Sequence, residues 1–208
     1  MRHHSSFIIH HSSFIISKGM IRFTLFLLVL ATIAPAARSQ GNGGSTLATL
    51  MPRPADFPTP KTDNLLFFIQ RNKNKNTIVY DFNMANGEFV KSKPIDVYWL
   101  RYGSGKPVRG ELNWLQRTFA FGYNHKKDST GKGYLITLTA YDGRKIHLEK
   151  NSAGKPVATM TINGKYCQLV NIWVYADERS SWPSVFHVDL IGRDMFTGKT
   201  EFERIINK

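Results

Sequence analysis

Two Asx-Gly dipeptides, Asp142-Gly143 and Asn163-Gly164, restrict what the second half of this chain can fold into. Each dipeptide separates two strand-like segments, residues 134–141 from 144–150 and residues 156–162 from 165–175. Two-residue loops of this composition favour type I′ turns, in which both central residues take a positive φ. The second half of the chain is therefore predicted to form consecutive antiparallel hairpins.

Further strand-like segments lie on both sides of these hairpins. They are residues 65–71, 77–83 and 95–102 before them, and residues 184–191 and 200–206 after them. Residues 72–76 read as a polar turn, residues 124–132 as a polar loop, and Thr197-Gly198 as the last turn. About eight or nine strands predict a mainly β domain, an antiparallel meander that closes as a barrel or folds over as a sandwich.

Residues 111–120 are the only segment with a clear helical pattern. Leu112, Leu115 and Phe119 share one face of a helix there, and Gly122 is placed to end it. Several strands are apolar on both faces, so a second layer has to cover them. This α-helix is the expected cover, and a cavity lined from the inside is the alternative.

The N-terminal 39 residues are interpreted as processed sequence rather than as part of the fold. Residues 1–19 contain the tandem repeat HHSSFII, whose short apolar runs build neither a membrane segment nor a core element, and a His-rich metal tract is the other possibility. We interpret them as an extension produced by a start codon assigned too early. Residues 20–39 then form a signal peptide, with Arg22 before an apolar core at residues 23–33.

Signal-peptide cleavage is expected after Ser39, with Ala36 as the alternative, and it makes the protein periplasmic or extracellular. Residues 40–63 are rich in glycine and proline and predict a disordered tether. Residues 64–208 are long enough for a single β-rich domain with a hydrophobic core. No transmembrane helix is expected in the processed chain.

The formal charge of the chain is +13, and removing the four basic residues before Gln40 leaves +9. A positive exported protein prefers anionic partners, here an anionic glycan, an amphiphile or an envelope protein rather than a nucleic acid. Cys167 is the single cysteine and lies in an apolar run, which favours a small buried side chain over a nucleophile. We expect no cofactor and no metal site.

Four sequence runs resemble one family. They are LFFIQRNKNKNTIVYDFN at residues 66–83, PIDVYWLRY at 94–102, ELNWLQRTFAFGY at 111–123 and IGRDMFTGKTEFERI at 191–205. They resemble the domain-of-unknown-function family numbered 4833, a family of exported bacterial proteins. The resemblance implies a β-rich extracytoplasmic domain and carries no activity. The positions of its motifs here are Arg71, Asn72, Asn74, Tyr80, Asp81, Tyr98, Trp99, Glu111, Gln116, Gly192, Asp194, Gly198 and Glu203.

Candidate catalytic residues are few. His187 and Asp189 lie two residues apart on a strand, so they share a face, and a carboxylate beside an imidazole can orient it as a base. Asp81 with Glu111 is a second pair, since paired carboxylates serve glycoside hydrolysis. These pairs support an alternative function, a small extracytoplasmic hydrolase acting on a glycan or an ester.

A non-enzymatic binding module of the bacterial cell envelope is the favoured function, because no catalytic motif stands out. Arg71 and Arg101 are the predicted anion contacts, and Tyr98 and Tyr102 the predicted stacking surface. Gln116 would supply a polar contact from the helix. An exposed strand edge that docks an envelope protein is a third hypothesis.

Overall fold

The computed structural model describes residues 53–103, 105–177 and 184–207. The predicted N-terminal extension, the predicted signal peptide and the first part of the predicted tether lie outside these residues. Among the residues described, no helix is long and apolar enough to cross a membrane.

The domain is mainly β, as predicted, and thirteen strands are present in the described residues. They are β1 (Leu65–Arg71), β2 (Asn74–Phe82), β3 (Met84–Ala85), β4 (Glu88–Phe89), β5 (Ile95–Arg101), β6 (Val108–Glu111), β7 (Tyr123–Lys127), β8 (Tyr134–Leu138), β9 (Ile146–Lys150), β10 (Pro156–Ile162), β11 (Lys165–Asp177), β12 (Ser184–Asp194) and β13 (Thr200–Ile206). Of these, β6 and β7 were not predicted, and β7 occupies the start of the supposed polar loop. The small β3–β4 hairpin was also missed.

One sheet of eleven strands curls into a half-barrel. Nine of its strands follow the path β6-β5-β2-β1-β11-β10-β9-β8-β7, and β12 with β13 branches from β11. Residues 165–168 of β11 pair with β10 and residues 171–174 pair with β1, along the same edge of the strand. Because β11 carries two neighbours on one edge, the sheet divides there into two wings that curl toward each other.

The prediction of an antiparallel meander that closes as a barrel or folds over as a sandwich is wrong in two respects. The sheet is open, and β1 pairs with β11 in parallel, Phe68 opposite Asn171 and Arg71 opposite Val174. A meander assumes that each strand pairs with its neighbour in sequence. A parallel pair needs a long crossover, and no local sequence signal identifies its partner.

The hydrophobic core lies between the two wings. Alternate residues of each strand point into it, among them Ile78 and Tyr80 of β2 and Ile146 and Leu148 of β9. The ring of Tyr80 stacks on that of Phe67 at 4.4 Å between centroids. The side of the sheet away from this core is called the outer face below.

The ends of the half-barrel approach each other at a seam between β7 and β5. No backbone ladder joins these strands; instead the Tyr123 hydroxyl donates to the carbonyl oxygen of Ile95 at 2.7 Å and accepts from its N–H at 3.0 Å. Burial raises the pKa of Tyr123 to about 12, so the phenol keeps its proton. The Tyr123 hydroxyl thus makes the two hydrogen bonds to Ile95 that the backbone of a paired strand would otherwise make.

The predicted helix over residues 111–120 is much shorter in the structure. Glu111 belongs to β6, α1 spans only Trp114–Gln116, and a π-helical turn continues over Arg117–Phe121. The segment ends at Gly122, as predicted. The backbone turns extended at Gly122, and the position needs glycine because a Cβ there would lie 1.8 Å from the carbonyl oxygen of Arg117.

The two Asx-Gly signals behave differently. Asn163-Gly164 forms the predicted two-residue turn, with φ of 50° and 76°. Asp142-Gly143 does not, because neither residue has a positive φ and both lie in a longer loop between β8 and β9. Asn86-Gly87, with φ of 52° and 77°, forms a second such turn, between β3 and β4.

Residues 53–63, called the strap below, lie across part of the outer face. The Phe57 ring meets the Trp173 ring edge-on at 5.1 Å, and Arg53 Nε donates to Gln70 Oε1 at 2.6 Å. Gln70 in turn donates to the carbonyl oxygen of Pro58 at 2.7 Å. The expected cover was the α-helix; over β1 and β11 it is instead the strap, which belongs to the segment predicted as a tether.

Candidate functional site

The residues predicted to bind a ligand do not converge on one site. Arg71 is buried at the end of β1, and Arg101 is exposed at the corresponding end of β5, with β2 between them. Tyr98 points to the opposite face from Arg101, since Val97 and Trp99 face the core. Tyr102 follows β5 and is half-buried.

Tyr98 and Gln116 are both engaged within the fold. The Tyr98 hydroxyl donates to Asp81 Oδ2 at 2.7 Å, and the Arg109 guanidinium lies 3.7 Å above the Tyr98 ring. Gln116 Oε1 accepts from the backbone N–H of Asn113 at 3.1 Å, which caps α1. It also accepts from the indole N–H of Trp99 at 3.3 Å. Because its side-chain oxygen has these two donors, Gln116 can be buried.

The carboxylates of both candidate catalytic pairs already bind other residues of the protein. Asp189 is buried, and its two oxygens accept from Nε and an Nη atom of Arg204 at 2.7 and 2.8 Å. His187 stacks on Tyr175 at 5.1 Å and lies 3.7 Å from Asp189. Asp81 accepts from Thr62 at 2.7 Å.

Glu111 forms ion pairs with Arg109 and Arg117. Two inter-strand spacings, about 10 Å, separate its strand from that of Asp81. Tyr98 stands opposite Glu111 on the strand between them. Over the ranges that the structure covers, no three His, Cys, Asp or Glu residues are placed to hold a metal ion.

A groove of about 410 Å³ opens where β9 begins and the β10–β11 hairpin turns. Six polar or charged residues line much of it: Arg144, Lys145, His147, Thr161, Tyr166 and Glu203. The strands supply them by alternation, because Ile146 and Leu148 face the core and so turn His147 outward. The hairpin register then sets Tyr166 opposite Thr161. Among the residues described, the contacts of the strap are with β1, β2 and β11 at Trp173, away from the groove.

A cluster of hydrogen bonds fixes Tyr166 at the edge of the groove. Its hydroxyl bonds to the carboxylate of Glu149, and Thr159 Oγ1 lies 2.7 Å from the same hydroxyl and donates to Glu149 at 3.0 Å. Burial and the Glu149 contact raise the pKa of Tyr166, so the phenol stays neutral. The Tyr166 side chain, exposed at 37%, is thereby held in place at the groove.

Arg144 and Glu203 close the end of the groove. The guanidinium bonds both carboxylate oxygens, one of them at 2.8 Å, and Glu203 also accepts from the Asn163 N–H at 2.7 Å. The Arg144 contact lowers the pKa of Glu203 and raises that of Arg144. Both groups are therefore charged at neutral pH, and the pair adds no net charge.

The charge left over in and beside the groove is positive. Lys145 donates to Thr137 Oγ1 at 3.0 Å, and no ion pair to Lys145 or Arg193 is formed by the residues in the structure. Arg193 lies in the cross-strand row of His147, Thr159 and Gln168. Glu203 is neutralised by Arg144, whereas Glu149 bonds only the neutral hydroxyls of Tyr166 and Thr159 and keeps its formal negative charge. Lys145 and Arg193 still outnumber this one carboxylate, so an anionic group would meet more positive than negative charge.

Sequence reasoning missed this groove because its residues come from β9, β10, β11, β13 and a loop. The one available signal was local: Lys145, His147 and Glu149 alternate with buried residues, which marks a polar outer face. Which strands continue that face depends on pairing, and the sequence shows pairing only at the Asn163-Gly164 hairpin.

Comparison with known proteins gives one match. A family model described as a domain of unknown function, DUF4833, matches residues 67–204, which span β1 through most of β13. No curated protein and no solved structure matches the chain. The matched region contains nearly all of the half-barrel, including every residue of the groove, and so the chain belongs to the DUF4833 family.

Proposed function

We propose that this chain is a non-enzymatic binding module of the bacterial cell envelope, and that its groove binds an acidic sugar. The groove carries this proposal. Its volume of about 410 Å³ suits a small ligand, since small-molecule sites typically enclose about 300 to 1,000 Å³. Export, which the apolar segment at residues 23–33 supports, would place the module where acidic glycans are found.

Three kinds of side chain in the groove match the chemistry of an acidic sugar. Lys145 offers a cation to a carboxylate or phosphate group, and Thr161 offers a hydroxyl to the sugar hydroxyls. Tyr166 offers an aromatic face on which the apolar side of a pyranose ring can stack. Because all three are carried by or flank paired strands, they are held in place before the ligand arrives.

The first test is a binding screen of the processed chain against neutral, carboxylated, phosphorylated and sulfated glycans. We expect binding to acidic glycans only, with affinity that falls as salt is added. A ligand so found is then titrated against variants by calorimetry. Lys145→Ala should weaken binding by about tenfold, the value of one charge-assisted hydrogen bond.

Lys155→Ala is the matched control, because it removes the same charge from an exposed turn outside the groove. Its affinity should equal that of the unmodified chain. Binding to no acidic glycan, or equal weakening by the two lysine variants, would contradict the proposal. Turnover of the bound glycan, detected by mass spectrometry, would favour the hydrolase alternative.

A further inference from the structure

Exposed apolar side chains concentrate on one part of the molecule. Nine large apolar residues are exposed among those described, and six of them belong to β11, β13 and the turn between β12 and β13. The six are Tyr166, Val170, Met195, Phe196, Phe202 and Ile206. Met195 and Phe196 are neighbours in the turn, whereas Ile206 lies at the far end of β13, opposite His187. Exposed apolar clusters on a monomer often mark a surface that contacts something else.

Phe196 is the most exposed of them, at 87%. It lies in the turn of residues 195–199, which we call the anchor turn. This turn lies beside the groove, since the Met195 N–H donates to the carbonyl oxygen of Tyr166 at 3.0 Å. The turn lies level with the start of β11, and the ring of Phe196 packs against little of the protein. An exposed apolar ring of this kind can be buried at the boundary between lipid headgroups and acyl chains.

The anchor turn is held in one conformation by Asp194. Asp194 Oδ1 accepts from the backbone N–H groups of Phe196 at 2.8 Å and Thr197 at 3.0 Å, and these bonds lower the pKa of Asp194. Gly198, at φ 69°, donates its N–H to the Asp194 carbonyl oxygen at 2.9 Å. These three hydrogen bonds therefore fix the conformation of the turn that carries Phe196.

The charges around the anchor turn favour an anionic surface. Lys199 lies in the turn, Arg193 precedes it, and neither has an ion-pair partner in the ranges described. Glu201 is paired with Lys165, and Asp194 keeps its negative charge but is buried, whereas Arg193 and Lys199 are exposed. An approaching anionic surface thus meets cations first.

We infer that the anchor turn docks the domain on a membrane that contains anionic lipids. Phe196 and Met195 enter the interfacial layer between headgroups and acyl chains, and Lys199 and Arg193 contact lipid phosphates. This surface goes beyond the acidic-sugar site, because Phe196 does not line the groove. It would present the open groove to ligands at the membrane surface.

The test is co-sedimentation of the processed chain with vesicles of phosphatidylcholine, alone or mixed with phosphatidylglycerol. We expect binding to the mixed vesicles, little binding to phosphatidylcholine alone, and release by salt. Phe196→Ser should weaken binding to mixed vesicles at least about tenfold, because it removes the main apolar contact. The variant should unfold at the same temperature as the unmodified chain, since its side chain packs against little.

Trp114→Ser is the matched control, because Trp114 is an aromatic residue exposed at 69% on α1, outside β11–β13. Its binding should be unchanged. No binding to mixed vesicles, or equal losses for the two serine variants, would overturn the inference. Phe196→Ser should also keep its affinity for any soluble acidic glycan, which separates failure of the anchor from failure of the groove.

Discussion

At the scale of single residues, the molecule places its charges in pairs where they are shielded from water. Asp189 is buried with Arg204, and Glu203 is largely shielded with Arg144. In each pair the guanidinium bonds both carboxylate oxygens, the geometry in which ion pairs are strongest. Lys145 in the groove, and Arg193 and Lys199 at the anchor turn, differ because they have no such partners among the residues described.

The Arg144–Glu203 pair makes stability depend on pH. Its contact lowers the pKa of Glu203 below the ordinary value of 4.5, so its contribution is full above that pH. As the pH falls through the lowered pKa, Glu203 is protonated and the contribution is lost. At neutral pH, Glu203→Gln should lower the free energy of unfolding by about 1 to 2 kcal/mol.

Urea unfolding of the two chains at a series of pH values measures this difference. The gap between unmodified chain and variant should shrink as the pH drops below 4.5. Arg144→Gln should show the same trend, since it breaks the same pair. A gap that stays constant across the series would count against the pair as its source.

At the scale of elements, the two Asx-Gly dipeptides offer a direct comparison. Gly164 needs a positive φ of 76° and should not tolerate a side chain well, whereas Gly143 has no positive φ. Gly164→Ala should therefore lower the free energy of unfolding by about 1 kcal/mol. Gly143→Ala should change it little, because a Cβ there meets only the Tyr141 ring at 3.5 Å. Thermal melts of the two variants check this, and equal destabilisation would refute it.

Strand positions were predictable from the sequence because their signals are local. The bounds of β1 and β10 agree with those expected, since alternation, apolar runs and turn residues act over a few positions. The helix was overextended because pairing of Glu111 with Tyr98 draws residues 108–111 into β6. Asn113 then caps α1 only after the strand has ended.

The groove could not be predicted by the same means. Lys145 and Tyr166 share it only because β9, β10 and β11 pair in one register, and Glu203 reaches it from β13. The predicted contacts Arg101 and Tyr98 failed to converge for the opposite reason. They lie on one strand but on different faces, as the alternation of side chains along that strand already indicates.

At the scale of the whole molecule, an open half-barrel needs cover on its outer face, and the strap supplies part of it. Phe57 packs on Trp173, Arg53 and Pro58 bond Gln70, and Thr62 bonds Asp81. Removing these contacts exposes apolar side chains of β1 and β11 to water. The strap is therefore part of the folded domain and not only a connection to it.

A chain that begins at Asn64 should accordingly lose about 2 kcal/mol or more of stability relative to one that begins at Gln40. Its tryptophan emission should shift to longer wavelength as Trp173 loses Phe57. A chain that begins at Arg53 keeps the strap and serves as control. Equal denaturation midpoints for all three chains would show that the strap adds nothing.

The parallel pairing of β1 with β11 also fixes when the domain can fold. Phe68 and Asn171 are bonded although 103 residues separate them, so the first strand has only one neighbour until β11 has been made. Contacts between such distant residues slow folding, because a long loop must close before they form. A growing chain therefore cannot complete its fold until most of it has been synthesised. Until then it can still pass through a narrow channel.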